Sequence, residues 1–288
     1  MTSNSSPRRN RAPLGQHFLA SPAVLARIGA AIDVGPADTA LEVGPGRGAL
    51  TRLLAGRAGR VVAVEKDGRL ASTLEAAFRR EGITNVTIVH GDILQLLAVR
   101  PDALGLPANY AVVANIPYYL TARLIRLLLT GRRPPQSAYL MVQKEVAARI
   151  VARPPRMNLL AASVQAYARP EILFVASRRV FIPPPRVDSA FIKLGGIGRE
   201  FFARHSVTEA AFFRLVRAAF RGQRKTIANA LSHGLPMPKP AMAAAVRALG
   251  LSGRRPAELS LDEWVNLTRT LGPKMEPNPA PKSKQDRG

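Results

Sequence analysis

The chain contains no cysteine, which excludes disulfides and thiolate metal sites. Histidine is nearly as scarce. His17, His90, His205 and His233 stand far apart and share no ligand spacing, so no metal is expected. No apolar run reaches the length of a membrane span. The Ser/Asn/Arg-rich start, residues 1–13, lacks the apolar stretch of a secretory signal and reads as a disordered basic tail. A cytoplasmic protein is expected, with no membrane partner. Aromatics make up only 6% of the chain, so its core has to come from Ala, Val and Leu. Acids are short as well: 19 Asp and Glu face 42 Lys and Arg, a formal charge of +23. An excess of that size points to a polyanionic partner.

What is present is enough for a substantial folded core. The 288 residues are 47% hydrophobic, which allows a medium α/β domain plus a small second one. Ser21-Pro22 reads as an N-cap followed by proline at the first helical position. Strand-like runs at 40–43, 60–64, 86–89, 110–114 and 139–142 alternate with helical periodicity. That rhythm predicts a mostly parallel, Rossmann-like sheet with helices on both faces. Runs at 172–175 and 189–194 have no helix between them and predict an antiparallel pair at the sheet edge. The expected catalytic domain is 14–197. A helical domain over 198–271 follows, and the Pro/Lys/Ser-rich residues 272–288 are expected to be disordered.

Gly44-Pro45-Gly46-Arg47-Gly48 stands between a strand and a helix. Glycines there let a backbone approach a ligand closely, beside the free N–H groups of a helix start. Glu65 follows at the end of the second strand, where a carboxylate can accept both hydroxyls of a ribose. Asp92, after the third strand, is a second acceptor suited to an adenine amino group. Ala49 occupies the last position of a dinucleotide fingerprint, which tolerates alanine. The loop therefore predicts a nucleotide site without choosing between a dinucleotide and S-adenosylmethionine (SAM).

The fourth strand is more telling, because Asn115-Ile116-Pro117-Tyr118 follows it. The amino nitrogen of adenine is a poor nucleophile, since its lone pair is delocalised into the ring. Acceptors for both of its N–H bonds pull it towards tetrahedral geometry and aim the lone pair at a methyl carbon. Asn115 Oδ1 and the Ile116 or Pro117 carbonyl are suitable, and Pro117 stiffens the turn. Tyr118 can stack on an extruded base. No strong base is needed opposite a sulfonium leaving group, so alignment can supply much of the rate.

Together these segments resemble the KsgA-type ribosomal RNA adenine dimethyltransferases. Gly15-Gln16-His17-Phe18-Leu19 is similar to the family's N-terminal cofactor segment, which implies cofactor contacts at His17 and Leu19. Glu42-Val43-Gly44-Pro45-Gly46 looks like its glycine loop, Glu65 its ribose acid, and Gly91-Asp92 its adenine-contacting turn. Asn115-Ile116-Pro117-Tyr118 looks like its catalytic tetrapeptide, with Asn115 also beside the cofactor. Gln143-Lys144-Glu145-Val146 recurs after the fifth strand. The segment Phe181-Ile182-Pro183-Pro184-Pro185 resembles one in which the Phe lies against the target base. Arg224-Lys225-Thr226 resembles the C-terminal motif, although Gln223 stands where a further arginine is usual. Pro155-Arg156-Met157-Asn158-Leu159 lacks the family's frequent Gly-x-Leu-Ser.

The resemblance implies a SAM-dependent methyltransferase fold and SAM as methyl donor. It implies N6,N6-dimethylation of two adjacent adenines in the 3′-terminal hairpin loop of small-subunit (16S) rRNA. The partner is then that rRNA or a pre-30S particle in small-subunit biogenesis, with the protein a monomer. Two alternatives share these features: an Erm-type methyltransferase of large-subunit (23S) rRNA, and a non-catalytic RNA-binding relative.

The RNA itself is expected on one helix face. Residues 212–231 read as an amphipathic helix, breakable at Gly222, with Phe212, Val216, Ala219, Phe220 and Ile227 on the apolar side. Arg214, Arg217, Arg221, Arg224 and Lys225 share the opposite side with no acid among them. A merely solvated stripe usually alternates in sign. Phosphate contacts to RNA are the favoured reading.

Overall fold

The computed structural model describes residues 17–274. Its elements run β1 (Phe18–Leu19), α1 (Pro22–Ala31), β2 (Thr39–Val43), α2 (Ala49–Ala55), β3 (Arg60–Glu65), α3 (Gly68–Arg80), β4 (Val86–His90) and α4 (Ile93–Val99). There follow β5 (Ala111–Asn115), α5 (Thr121–Thr130), β6 (Ser137–Gln143), α6 (Lys144–Ile150), α7 (Leu159–Gln165), β7 (Arg169–Ala176), β8 (Phe181–Ile182) and β9 (Ser189–Gly195). The C-terminal part is helical: α8 (Glu200–His205), α9 (Glu209–Arg221), α10 (Ile227–Gly234), α11 (Lys239–Ala248) and α12 (Leu261–Leu271).

Seven strands form one sheet in the order β4-β3-β2-β5-β6-β9-β7. The four pairings among β2 to β6 are parallel, and β9 lies antiparallel to β6. The two late strands occupy that edge as expected, with β7 outermost. Sequence neighbours such as Val61 and Val62, or Val112 and Val113, are all buried, so both sheet faces are covered. Ile28, Leu50, Leu54, Val61, Val113, Met141 and Phe191 belong to one buried cluster on one side. Short-range chemistry starts the helices. Ser21 caps α1 by accepting from Val24 N–H, and Asp67 caps α3 through Arg69 and Leu70 N–H.

The chain divides into two compact units. The first comprises described residues up to Ala147 together with Glu171–Gly195, and the second Ala148–Pro170 with the described residues from Gly196 onward. The crossing at Gly195–Gly196 lies two residues before the boundary expected at 197, and the chain also crosses at Ala147–Ala148 and at Pro170–Glu171, where no boundary is expected from the sequence. Ala148–Pro170 carries sheet-like neighbours in sequence yet packs with the helices. Met157 N–H bonds Ala257 O at 2.9 Å, and the Tyr167 ring stacks on Phe213 with centroids 5.6 Å apart. Asn158, in the segment that departs from the family pattern, caps α7 through Ala161 N–H and donates to Arg149 O.

The expected helix over 212–231 is two helices, broken where Gly222 was singled out. α9 is capped by Thr208 and buries Phe212, Leu215, Val216 and Ala219. Gly272–Lys274, assigned to the disordered tail, form a 3-10 turn directly after α12. The rest of that tail, and residues 1–13, lie outside the described residues. No helix among the described residues is long and apolar enough to cross a membrane.

Candidate active site

The strand order reverses direction between β2 and β5. From β2 the chain builds outward through β3 and β4, then returns to β5 and β6 on the other side. A crevice forms outside the carboxyl ends of strands at such a switch point. Val43, Glu65, His90 and Asn115 are the last residues of β2, β3, β4 and β5, and a pocket of about 350 Å³ opens there. Its lining includes His17, Leu19, Gly44, Gly46, Glu65, Asp92, Asn115, Pro117, Tyr118 and Phe181. All residues expected in the cofactor and catalytic sites are thereby gathered in one place.

The glycine loop is shaped for close approach. Gly44, Gly46 and Gly48 have φ of 70°, 56° and 78°, a region that side chains rarely occupy. A Cβ at Gly46 would also stand 2.7 Å from the Phe18 ring. Gly46 N–H donates to Glu65 Oε2 at 3.1 Å, and Glu65 Oε1 accepts from Asp67 N–H at 3.0 Å. Glu65 is buried, so these two bonds hold its carboxylate in a fixed orientation.

Asp92 is similarly occupied. Its Oδ1 accepts from Leu94 N–H, capping α4, and its Oδ2 pairs with Lys66 Nζ at 2.9 Å. The Lys66 hydrogen bond holds the Asp92 carboxyl below the usual carboxylate range, against partial burial. Lys66 gave no signal in the sequence; its exposed side chain reaches across from the end of β3.

Glu42 lies deepest. It is 1% exposed, and its Oε2 has no hydrogen-bond partner. Burial pushes its carboxyl up to about 8, and the neighbouring Glu65 adds to the shift. The nearby Thr51 hydroxyl opposes it, although Thr51 Oγ1 itself completes no hydrogen bond. In the sequence Glu42 is no more than the first residue of the glycine-loop motif. Its neutral state is a product of the surrounding sheet, which periodicity does not reveal.

Asn115 is clamped by a residue 98 positions away. Its Nδ2 donates to His17 O at 3.0 Å. A carbonyl can only accept, so the amide end facing it is NH₂ and Oδ1 points elsewhere. His17 is held in turn through Nδ1 to Pro183 O at 2.7 Å, beside the antiparallel pairing of β1 with β8. The Tyr118 hydroxyl bonds Ser189 Oγ at 2.8 Å. Burial raises the Tyr118 phenol above its ordinary value, so it stays protonated at neutral pH. Pro117 O accepts Leu120 N–H at 2.9 Å, which tightens the turn. Phe181 lines the pocket but is only 2% exposed, packed within the core cluster.

The five cations expected to meet RNA sit in the second unit and are all exposed. The helix break distributes them: Arg214, Arg217 and Arg221 on α9, and Arg224 and Lys225 in the turn before α10. Arg217 lies over the Phe213 ring at 5.8 Å.

The pocket has the chemistry for a nucleoside. Glycine backbone lines one side, Glu65 and Asp92 contribute carboxyl groups, and the Asn115 amide stands at the end of β5. Among the described residues, no group of three His, Asp or Glu is placed to hold a metal ion.

Comparison with known proteins agrees with this geometry. Residues 8–262 match the model of the family described as ribosomal RNA adenine dimethylase. A ribosomal RNA small subunit methyltransferase A of Dehalococcoides mccartyi (strain CBDB1) is 43% identical over 258 residues, covering 89% of this chain and 87% of the relative. A relative of the same name from Moorella thermoacetica is 40% identical, covering 92% of each chain. Among solved structures, a dimethyladenosine transferase from Plasmodium falciparum is 25% identical with a TM-score of 0.75, covering 90% of this chain and 98% of that one. The 23S rRNA methyltransferase ErmE is 28% identical with a TM-score of 0.70, covering 88% and 99%. Family and fold imply SAM as the methyl donor, and the chain belongs to the ribosomal RNA adenine dimethylase family.

Proposed function

We propose that this chain transfers methyl groups from SAM to N6 of two adjacent adenines in the 3′-terminal hairpin loop of small-subunit (16S) rRNA, two on each base. The observation that carries the reading is the clamped Asn115 amide at the carboxyl end of β5. With Nδ2 held by His17 O, Oδ1 is the acceptor left for an adenine N–H. Pro117 O is already engaged by Leu120, so the Ile116 carbonyl is the better second acceptor. Tyr118, anchored by Ser189, offers a ring at fixed orientation for the extruded base. Phe181 supports that ring slot from within the core rather than as an exposed stacking face.

The donor supplies an electrophilic methyl on a sulfonium. Gly44 and Gly46 would hold its backbone-facing side, Glu65 its ribose and Asp92 its adenine, with His17 and Leu19 closing the N-terminal edge. The exposed cations Arg214, Arg217, Arg221, Arg224 and Lys225 would hold rRNA phosphates. On this reading the protein works with ribosomes in the cytoplasm, as a monomer acting on rRNA or a pre-30S particle during small-subunit biogenesis.

Relatives named for the small subunit reach 40–43% identity, against 28% for the large-subunit enzyme ErmE, which favours the small subunit. The test is to map methylated adenines on rRNA from cells with and without the gene. Loss of dimethyladenosine from the small-subunit hairpin alone is expected. Loss confined to large-subunit rRNA would overturn the reading.

A further inference from the structure

All sixteen Phe, Tyr and Trp side chains fall among the described residues, and only Tyr119 is exposed, at 60%. Exposing a ring in water gains nothing by itself. This one stands at the mouth of the pocket and forms part of its lining. Its position follows from the local backbone. Tyr118–Leu120 form a 3-10 turn, in which successive side chains point about 120° apart. Tyr118 turns inward to Ser189, so its neighbour has to turn out.

The surroundings of the ring are suited to nucleic acid. Ile182, 57% exposed, contributes a second apolar side chain to the same lining. Lys66, Arg123 and Arg47 are exposed lining residues as well, and both Tyr119 and Arg123 fall within electrostatic reach of Lys66. The pocket therefore has acids in its interior and cations, with one aromatic face, at its rim. An aromatic face beside cations is the arrangement that grips an unpaired base and its phosphate.

We propose that Tyr119 is a stacking platform for the nucleotide next to the base held in the pocket, with Arg123 on the phosphate that joins the two. The proposal rests on the function stated above, since it requires an RNA base in the pocket. Tyr119 acts as a positioning residue: it touches the neighbour of the reacting base and fixes the register of the strand.

The test uses the full-length protein and an RNA hairpin with 2-aminopurine on one side or the other of the target adenine. In the wild type, fluorescence at one of the two positions is expected to fall on binding. Tyr119→Ala should abolish that fall and raise KM for RNA roughly 5- to 150-fold, the range for losing one base stack. Its kcat at saturating RNA should stay within about twofold, and its SAM affinity by calorimetry should be unchanged. Tyr119→Phe and Tyr119→Trp should keep the quench. The proposal is overturned if Tyr119→Ala keeps the wild-type quench and KM, or if Tyr119→Phe loses as much as Tyr119→Ala. Absence of methyl transfer by the wild type to small-subunit rRNA, both free and in pre-30S particles, would bring down the function and this proposal together; wild-type transfer with an indifferent Tyr119→Ala would bring down the proposal alone.

Discussion

Glu42 makes the stability of the first unit depend on pH in an unusual direction. Its carboxyl is buried, with Oε2 unpartnered, and is pushed from 4.5 up to about 8. Between those values the folded protein holds a proton that the unfolded chain has released. Stability contributed by the neutral group is therefore complete below pH 4.5 and is lost progressively as pH rises towards 8. Each pH unit in that window costs about 1.4 kcal/mol, so the whole span is worth about 5 kcal/mol. Typical domains are stable by only about 5–15 kcal/mol, so the effect is large. Glu42→Gln keeps the shape of the neutral form and cannot ionise. Denaturation in urea at pH 5, 7 and 9, followed by far-UV circular dichroism and by amide exchange in β2, should show the two proteins diverging steadily. The variant should gain on the wild type by several kcal/mol across the range. A ¹³C titration of the Glu42 carboxyl gives the midpoint directly. Parallel pH profiles, or a midpoint near 4.5, would refute the reasoning.

Three further outcomes are expected. Asn115→Ala should abolish methyl transfer while SAM affinity stays within a few-fold; retained turnover would contradict the role given to Oδ1. Gly46→Ala puts a side chain at φ 56° and 2.7 Å from Phe18, and should lower SAM affinity at least about tenfold in a protein that still folds, read by calorimetry and circular dichroism. Arg221→Glu combined with Arg224→Glu should weaken RNA binding and flatten its salt dependence by about one to two in log–log slope, with SAM binding unchanged. An unaltered slope would remove those two cations from the RNA surface.

Much of the catalytic unit was legible because its signals are local. A strand of valines, a turn needing positive φ and an acid at the next strand end are each written within a few residues. Gly44, Glu65 and Asn115 could thus be placed in order before any contact was known. The second unit was legible in kind but not in detail. Gly222 marked the break between α9 and α10, while the membership of Ala148–Pro170 depended on which surface its apolar residues met. Met157 and Tyr167 bury themselves against residues far along the chain, and no period in the sequence carries that information.

The amino-acid sequence by itself determined the parallel sheet, the glycine loop and the identity of the acids and amide at the strand ends. Backbone conformation and hydrophobic period act over a few residues, so the signals for those features are readable before the partner of each element is known. Only the tertiary structure decided how the groups are used. Glu65 is bound to Gly46, Asp92 to Lys66, Asn115 to His17 and Tyr118 to Ser189, the last two across 98 and 71 residues. It also turned Glu42 neutral and left Tyr119 as the one exposed side chain among the described Phe, Tyr and Trp residues. Those outcomes follow from burial and from which polar atoms meet once the strands are ordered, and strand order is a property of the whole packed sheet.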